Sequence, residues 1–230
     1  MSNLYIVATP IGNLEDVTKR ALRILSEVDL ILCEDTRTAK KLLDFYRIKT
    51  PVINYHQHSK FRKINHIIDL LKKGKNLALI SEAGTPGIAD PGSKLVKEVY
   101  GSLGNSVKIV PIPGASAAAA AASVSGFPMD RFIFLGFPPA KKKRKKFFAD
   151  TISRLADLKC PAILYESPHR IIKTLEEIRL AAESRDTEIE LVVCRELTKK
   201  FETIFRGKIK DVSGKIDQIK GEFVVVIRKV

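Results

Sequence analysis

The 230-residue sequence is short of several things, and each scarcity removes a class of protein. No stretch reaches eighteen consecutive apolar residues, which argues against a membrane-spanning helix, and the first ten residues lack the basic start and long apolar run of an export signal. A soluble, cytoplasmic protein is expected. Its three cysteines, Cys33, Cys160 and Cys194, are odd in number, far apart, and each in or beside a strand-like run, so they read as reduced core thiols. There is no C-x-x-C pair, so a zinc site joining them to His56 and His58 lacks its usual spacing, and no metal is implied. Neither G-x-G-x-x-G nor G-K-[ST] occurs, which sets aside two nucleotide-binding loops. No internal repeat is visible.

What is present is a globular composition, 45% hydrophobic, with 40 Lys and Arg against 26 Asp and Glu and a formal charge of +14. An excess of that size favours an anionic partner such as nucleic acid, with a membrane surface as the alternative. Short apolar runs at 4–8, 30–33, 52–55, 77–80 and 107–112 alternate with helical patterns at 17–28 (capped by Asp16), 38–46, 61–73 and 93–100. Alternation of strand and helix predicts a parallel sheet with helices on its faces. Prolines 111 and 113 and Gly114 interrupt it, which puts a domain boundary between 112 and 113 and gives domains 1–112 and 113–230. An alanine-rich helix at 115–125 follows, fitted either to close backbone packing or to a crowded core. Strands then return at 132–135, 162–165, 189–194, 203–205 and 223–227, with helices at 145–158 and 168–183, a ratio that suits a mixed sheet in a second α/β domain.

The chain is organised around residues 81–92, S-E-A-G-T-P-G-I-A-D-P-G, which read as a tight loop between a strand and a helix. Its glycines and prolines permit turns that bring backbone N–H groups close to a ligand, although a connection without a ligand would look similar. Residues 9–13, T-P-I-G-N, form a second pliable loop. Two polar clusters, E-D-T-R at 34–37 and Y-E-S-P-H-R at 165–170, follow strands. Charge at the carboxyl end of a buried strand marks a site, with helix capping by Asp35 or Ser167 as the competing account.

Taken together, T-P-I-G-N-L at 9–14, E-D-T-R, E-A-G-T-P-G-I-A-D-P-G at 82–92, P-G-A-S-A at 113–117 and Y-E-S-P-H-R resemble the ribosomal RNA small-subunit methyltransferase I family from end to end. That resemblance implies a tetrapyrrole-methylase-like fold of two α/β domains with S-adenosylmethionine in the cleft between them, a homodimer, and 2'-O-methylation of a decoding-centre cytidine in the 16S rRNA of the small ribosomal subunit. It assigns Pro10, Gly84, Gly87, Ile88, Ala89, Asp90, Ser116 and Ala117 to the donor, with Phe137 and Leu197 beside the adenosine. Glu34, Asp35, Arg37, Glu166 and His169 become the candidates for chemistry, and the residues leave open which accepts the proton.

Arg37 and Arg170 have the shape to hold phosphates, although Arg170 could instead pair with Glu166. Lys199, in E-L-T-K, joins the RNA-facing set. So do Lys141, Lys142, Lys143, Arg144, Lys145 and Lys146, six adjacent cations expected to be solvated and to meet either RNA phosphates or water alone. Two rival functions share the expected fold or charge: a small-molecule methylase acting on a tetrapyrrole, and a basic ribosome-binding assembly factor without chemistry.

Overall fold

A computed structural model of the chain describes residues 1–56, 61–216 and 219–230. The chain divides into two units, Met1–Ser116 and Ala117–Val230. His58, named above for zinc, lies outside the described residues.

In the first unit β1 (Ser2–Val7), β2 (Leu30–Cys33), β3 (Val52–Asn54), β4 (Leu77–Leu79) and β5 (Val107–Ile112) form a parallel sheet in the order β3-β2-β4-β1-β5. Helices α1 (Lys19–Glu27), α2 (Thr36–Phe45), α3 (Phe61–Lys72) and α4 (Ser93–Leu103) cover it. Side chains alternate across a strand, and that alternation sorts the core into two layers. Ile31, Cys33 and Ala78 pack with Ala21, Leu25, Ala39 and Leu43 of α1 and α2. Leu32, Leu77 and Leu79 pack with Ile64, Ile67, Leu71, Leu95 and Val99 of α3 and α4. The chain leaves β1 towards β2 but leaves β4 across β1 towards β5, so α1 and α4 lie on opposite faces. Such a reversal leaves a crevice at the carboxyl ends of the two strands, here β1 and β4.

One local expectation fails. Asp16 does not cap α1; it closes a short 3-10 turn at Leu14–Asp16, and the Thr18 hydroxyl accepts from the Ala21 N–H at 3.0 Å. The Asn13 side chain caps the 3-10 turn first, which delays the helix until Lys19.

The second unit opens with α5 (Ala117–Ser125) and continues through β6 (Ile133–Phe134), α6 (Arg144–Leu158), β7 (Ala162–Glu166), α7 (Ile171–Glu183), β8 (Ile189–Arg195), β9 (Thr203–Lys208), α8 (Ile209–Ser213) and β10 (Phe223–Lys229). Its sheet runs β6-β7-β10-β8-β9 and is mixed: β6 is parallel to β7 and the other pairs are antiparallel. Phe148 and Ile152 of α6, Leu175 and Ile178 of α7 and Val212 of α8 share one core with Leu164, Val193 and Val225. Helix α5 packs on β7 and β10, burying Ala118 and Ala121, and its small side chains let the backbones approach. Among the described residues no helix is long and apolar enough to cross a membrane.

Candidate active site

Three segments meet at the β1/β4 crevice of the first unit. Thr9 and Gly84 exchange backbone hydrogen bonds at 2.9 and 3.0 Å, and the Thr85 hydroxyl donates to the Ala115 carbonyl at 3.2 Å. Gly84 has φ +78°, which favours glycine, and a Cβ there would also crowd Ile11 Cγ2 at 3.3 Å. Ala89 takes a left-handed φ of 60° without being glycine, a strained backbone of the kind that gathers at functional loops. Pro10 and Gly84 are buried, Gly87, Asp90 and Ser116 half-buried, and Ile88 and Ala89 exposed. The Thr9 hydroxyl is buried and has no hydrogen-bond partner among the described residues.

The neighbouring strand end adds charge of one sign. Glu34 follows β2, and Glu82 and Asp90 belong to the loop after β4, which is the next strand. Burial pushes the Glu34 carboxyl up to about 7, and the negative charges of Asp90 and Glu82 add to the rise. Asp90 is raised to about 6 by burial; a hydrogen bond from Ser81 opposes this and Glu82 reinforces it. None of the three forms an ion pair among the described residues. Asp35 differs. It caps α2 by accepting from the Arg37 N–H at 2.8 Å and binds the Arg37 guanidinium through both oxygens, which holds its carboxyl at about 2. Arg37 itself remains 87% exposed.

In the second unit Glu166, the last residue of β7, is 2% exposed. One carboxylate oxygen accepts from the Ser167 N–H and pairs with Arg170, both at 2.7 Å; the other accepts from the Thr174 hydroxyl at 2.6 Å and lies 3.5 Å from Arg144. Both oxygens are engaged, and they tie the start of the loop after β7 to α6 and α7. His169 is exposed in that loop. Ser167 is no side-chain cap; its hydroxyl accepts from Arg170 Nε at 3.0 Å. Phe137 is 54% exposed and meets the Tyr165 ring edge-on at 5.5 Å, while the Tyr165 hydroxyl accepts from the Ala118 N–H near Ala117. Leu197 is buried beside Glu196 and Thr198, both at positive φ.

The cationic run is not uniform. Lys141, Lys142, Lys143, Lys145 and Lys146 are exposed, but Arg144 is 3% exposed, which corrects its expected place among the solvated cations. Its guanidinium donates to Glu177 at 2.7 Å, Thr174 at 2.6 Å and the Pro139 carbonyl at 2.9 Å, a partner set that makes burial of the charge tolerable. Arg170 is engaged by Glu166 and Ser167, and Lys199 by Glu196 at 3.0 Å and Glu222 at 2.8 Å.

The residues missed from sequence are Glu82 and Thr9. Glu82 stands just past a strand end as Glu34 does, and Thr9 directly precedes Pro10, so position carried a signal in both cases. Cys33 and Cys194 are buried thiols pushed up to about 11 and about 12, chiefly by burial. Among the described residues no group of three or more His, Cys, Asp or Glu side chains is arranged to hold a metal ion.

These features have counterparts in known proteins. A family model of the tetrapyrrole (corrin/porphyrin) methylases matches residues 3–213. Two solved structures share the fold: diphthine synthase, with a TM-score of 0.73 at 15% identity over 99% of this chain and 90% of that one, and cobalt precorrin-4 methyltransferase, with 0.66 at 21% over 97% and 94%. In sequence the chain is similar to ribosomal RNA small subunit methyltransferase I of Bacillus subtilis (strain 168), 45% identical over 99% of this chain and 75% of the relative. The protein of that name from Thermotoga maritima is 41% identical over 99% and 98%. The chain belongs to the ribosomal RNA small subunit methyltransferase I family, a branch of the tetrapyrrole methylases.

Proposed function

We infer that the chain is an S-adenosylmethionine-dependent methyltransferase of small-subunit ribosomal RNA, acting on the ribose 2'-oxygen of a decoding-centre cytidine in 16S rRNA. The observation that carries this reading is 41 to 45% identity, over almost the whole chain, to enzymes named for that substrate class. Work in the cytoplasm as a homodimer is part of the proposal.

The residues at the β1/β4 crevice suit the donor. S-adenosylmethionine supplies a methyl group activated on a positively charged sulfur. Glu34, Glu82 and Asp90 offer negative charge without competing ion pairs, and the unpartnered Thr9 hydroxyl offers a buried polar contact. In this proposal Pro10 and the 84–90 loop hold the donor by backbone and shape, and Asp90 faces its positive charge. Ser116, Ala117, Phe137 and Leu197 are proposed further contacts.

A 2'-hydroxyl is a poor nucleophile at neutral pH, so an acceptor tuned near 7 is valuable. Glu34 meets that requirement and Asp35, held at about 2, does not. Glu34 is therefore the proposed proton acceptor. Glu166 becomes a positioning residue for the loop that carries His169 and Arg170. Methyl transfer is an in-line displacement, for which holding the two reacting atoms in contact supplies much of the rate. Phosphates on the RNA side are assigned to Arg37, Arg170 and the five exposed lysines of 141–146, with Lys199 as a further candidate.

The test supplies labelled S-adenosylmethionine to purified small subunits, naked 16S rRNA and a tetrapyrrole in parallel. Label in 16S rRNA, resistant to alkali at one cytidine linkage, is expected. Label in the tetrapyrrole alone would overturn the reading.

A further inference from the structure

A second cationic surface lies on the first unit, built from residues to which no role is assigned above. Helices α3 and α4 pack on the same face of the parallel sheet, and each is the first helix after a strand of it, α3 after β3 and α4 after β4 and the 81–92 loop, so their first turns lie towards the sheet's carboxyl edge. There Phe61, the first residue of α3, is 70% exposed. The Lys94 ammonium, in the first turn of α4, stands over its ring at 5.3 Å from the centroid. Arg62 and Lys97 are exposed beside them, and Lys97 is one turn along α4 from Lys94.

Several cations elsewhere are held by carboxylates: Arg23 by Glu27, Lys75 by Asp29, Arg179 by Glu176 and Glu183, Lys199 by Glu196 and Glu222. Arg62, Lys94 and Lys97 form no ion pair among the described residues. An isolated exposed aromatic is ordinary, and so is an isolated lysine. An exposed ring held under an ammonium, flanked by unpaired cations, at the edge of the sheet where ligands gather, is a different combination. It is the combination that single-stranded nucleic acid uses: a flat face for a base and positive charge for the phosphates on either side.

We propose that the α3/α4 corner formed by Phe61, Arg62, Lys94 and Lys97 is an RNA-docking surface on which one unpaired base of the substrate stacks against Phe61 while the three cations contact the adjoining phosphates. The inference rests on the rRNA reading and extends it to residues outside the family motifs. Stacking explains why the ring faces outward, and Lys94 holds it there before RNA arrives by a cation–π contact. A duplex has no free base face to offer, so the surface selects an unpaired stretch.

The experiment measures binding of the intact protein to a single-stranded 16S-derived oligonucleotide, to a duplex of the same composition and to purified small subunits, at several salt concentrations. The variants are Phe61→Ala, Phe61→Leu, Phe61→Tyr and the triple change Arg62→Ala, Lys94→Ala, Lys97→Ala. Thermal melting and S-adenosylmethionine affinity serve as folding controls. Phe61→Ala and Phe61→Leu are expected to weaken single-strand binding about tenfold to a hundredfold, the range of one lost base stack, while Phe61→Tyr binds like wild type and duplex binding does not change. The triple variant should reduce the slope of log affinity against log salt by up to about two, roughly 0.7 for each contact. Equal affinity for Phe61→Ala, Phe61→Leu and wild type would remove the stack, and an unchanged slope would remove the phosphate contacts. Loss of subunit binding with oligonucleotide binding intact would make the corner a protein-docking face and overturn the proposal. Wild type that neither binds the RNA nor methylates subunits would overturn the rRNA reading itself, so the two failures are distinguishable.

Discussion

Glu34 and Glu166 look alike in sequence: each stands at or just past the end of a buried strand, and each precedes an arginine by three or four residues. Their surroundings are opposite. Glu166 is enclosed by Ser167, Arg144, Arg170 and Thr174, so its charge is compensated on every side. Glu34 has other carboxylates for neighbours, Asp90 and Glu82, and the nearby guanidinium of Arg37 is taken by Asp35. The comparison separates a strand-end acid that the fold neutralises from one that it leaves wanting a positive partner, and the second kind is the one proposed here for chemistry.

The largest expected effect lies with the compensated acid. Glu166→Ala removes the buried acceptor shared by the Ser167 N–H, Thr174 and Arg170 and weakens the compensation of Arg144, and should lower unfolding free energy by about 3–5 kcal/mol, read from the urea midpoint. Glu34→Gln should leave that midpoint close to wild type. The reverse ranking would break the comparison.

Next comes catalysis. Glu34→Gln should slow single-turnover methyl transfer about a hundredfold, the usual scale of general base catalysis, and abolish the rise in rate between about pH 6 and 8. A rate unaffected by Glu34→Gln would leave His169 as the remaining candidate base.

Asp90 sharpens the electrostatic side. Its carboxyl is raised from 3.8 to about 6 and that of Glu34 from 4.5 to about 7, so both hold protons more tightly when folded than when unfolded. What these groups contribute to apo stability is therefore complete below about pH 4 and is lost as pH climbs through 6 and 7. A cationic donor prefers the ionised forms, so its affinity should rise across the same window and level off above it, with protons released on binding. Calorimetry in buffers of different ionisation enthalpy measures that release. Asp90→Asn should weaken donor binding about tenfold, near the lower end for a charge-assisted contact, and flatten the pH dependence.

The smallest effect on stability belongs to Arg37, whose pair with Asp35 is open to water. Arg37→Ala should leave the urea midpoint unmoved while weakening subunit binding, and a clear drop in stability would place Arg37 on the structural side with Arg144.

Much of this architecture was legible because packing writes itself into periodicity. Leu30–Cys33 was readable to the residue, since a strand inside a sheet covered by helices is apolar throughout. Val107–Ile112 was readable although it is an edge strand with Lys108 exposed, because Val107, Ile109, Val110 and Ile112 keep the run apolar up to the turn residues that end it. The five-residue helix Ile209–Ser213 was not, because one turn and a half gives no period to detect. In the cationic run six like charges announced a solvated surface, and five obey. Arg144 differs because Glu166 and Glu177, which face it, lie more than twenty residues away in the chain, and a pattern of neighbours carries no trace of them. The separation of Glu34 from Asp35 was hidden for a similar reason: adjacent acids diverge once one is turned towards Arg37 and the other towards the loop after β4.

The mutual bond between Thr9 and Gly84 has a consequence in time as well as in space. Two loops of irregular backbone are stitched to each other as strands are, so their amides share the slow opening of the sheet and not the rapid fluctuation of a surface turn. In deuterium exchange the Thr9 and Gly84 amides should persist with those of Leu4 and Leu79 long after Lys75 and Asn105 have exchanged. A loop already held in this way gives up little freedom when a small ligand arrives, so the donor proposed to bind here should associate at a rate set by diffusion and charge.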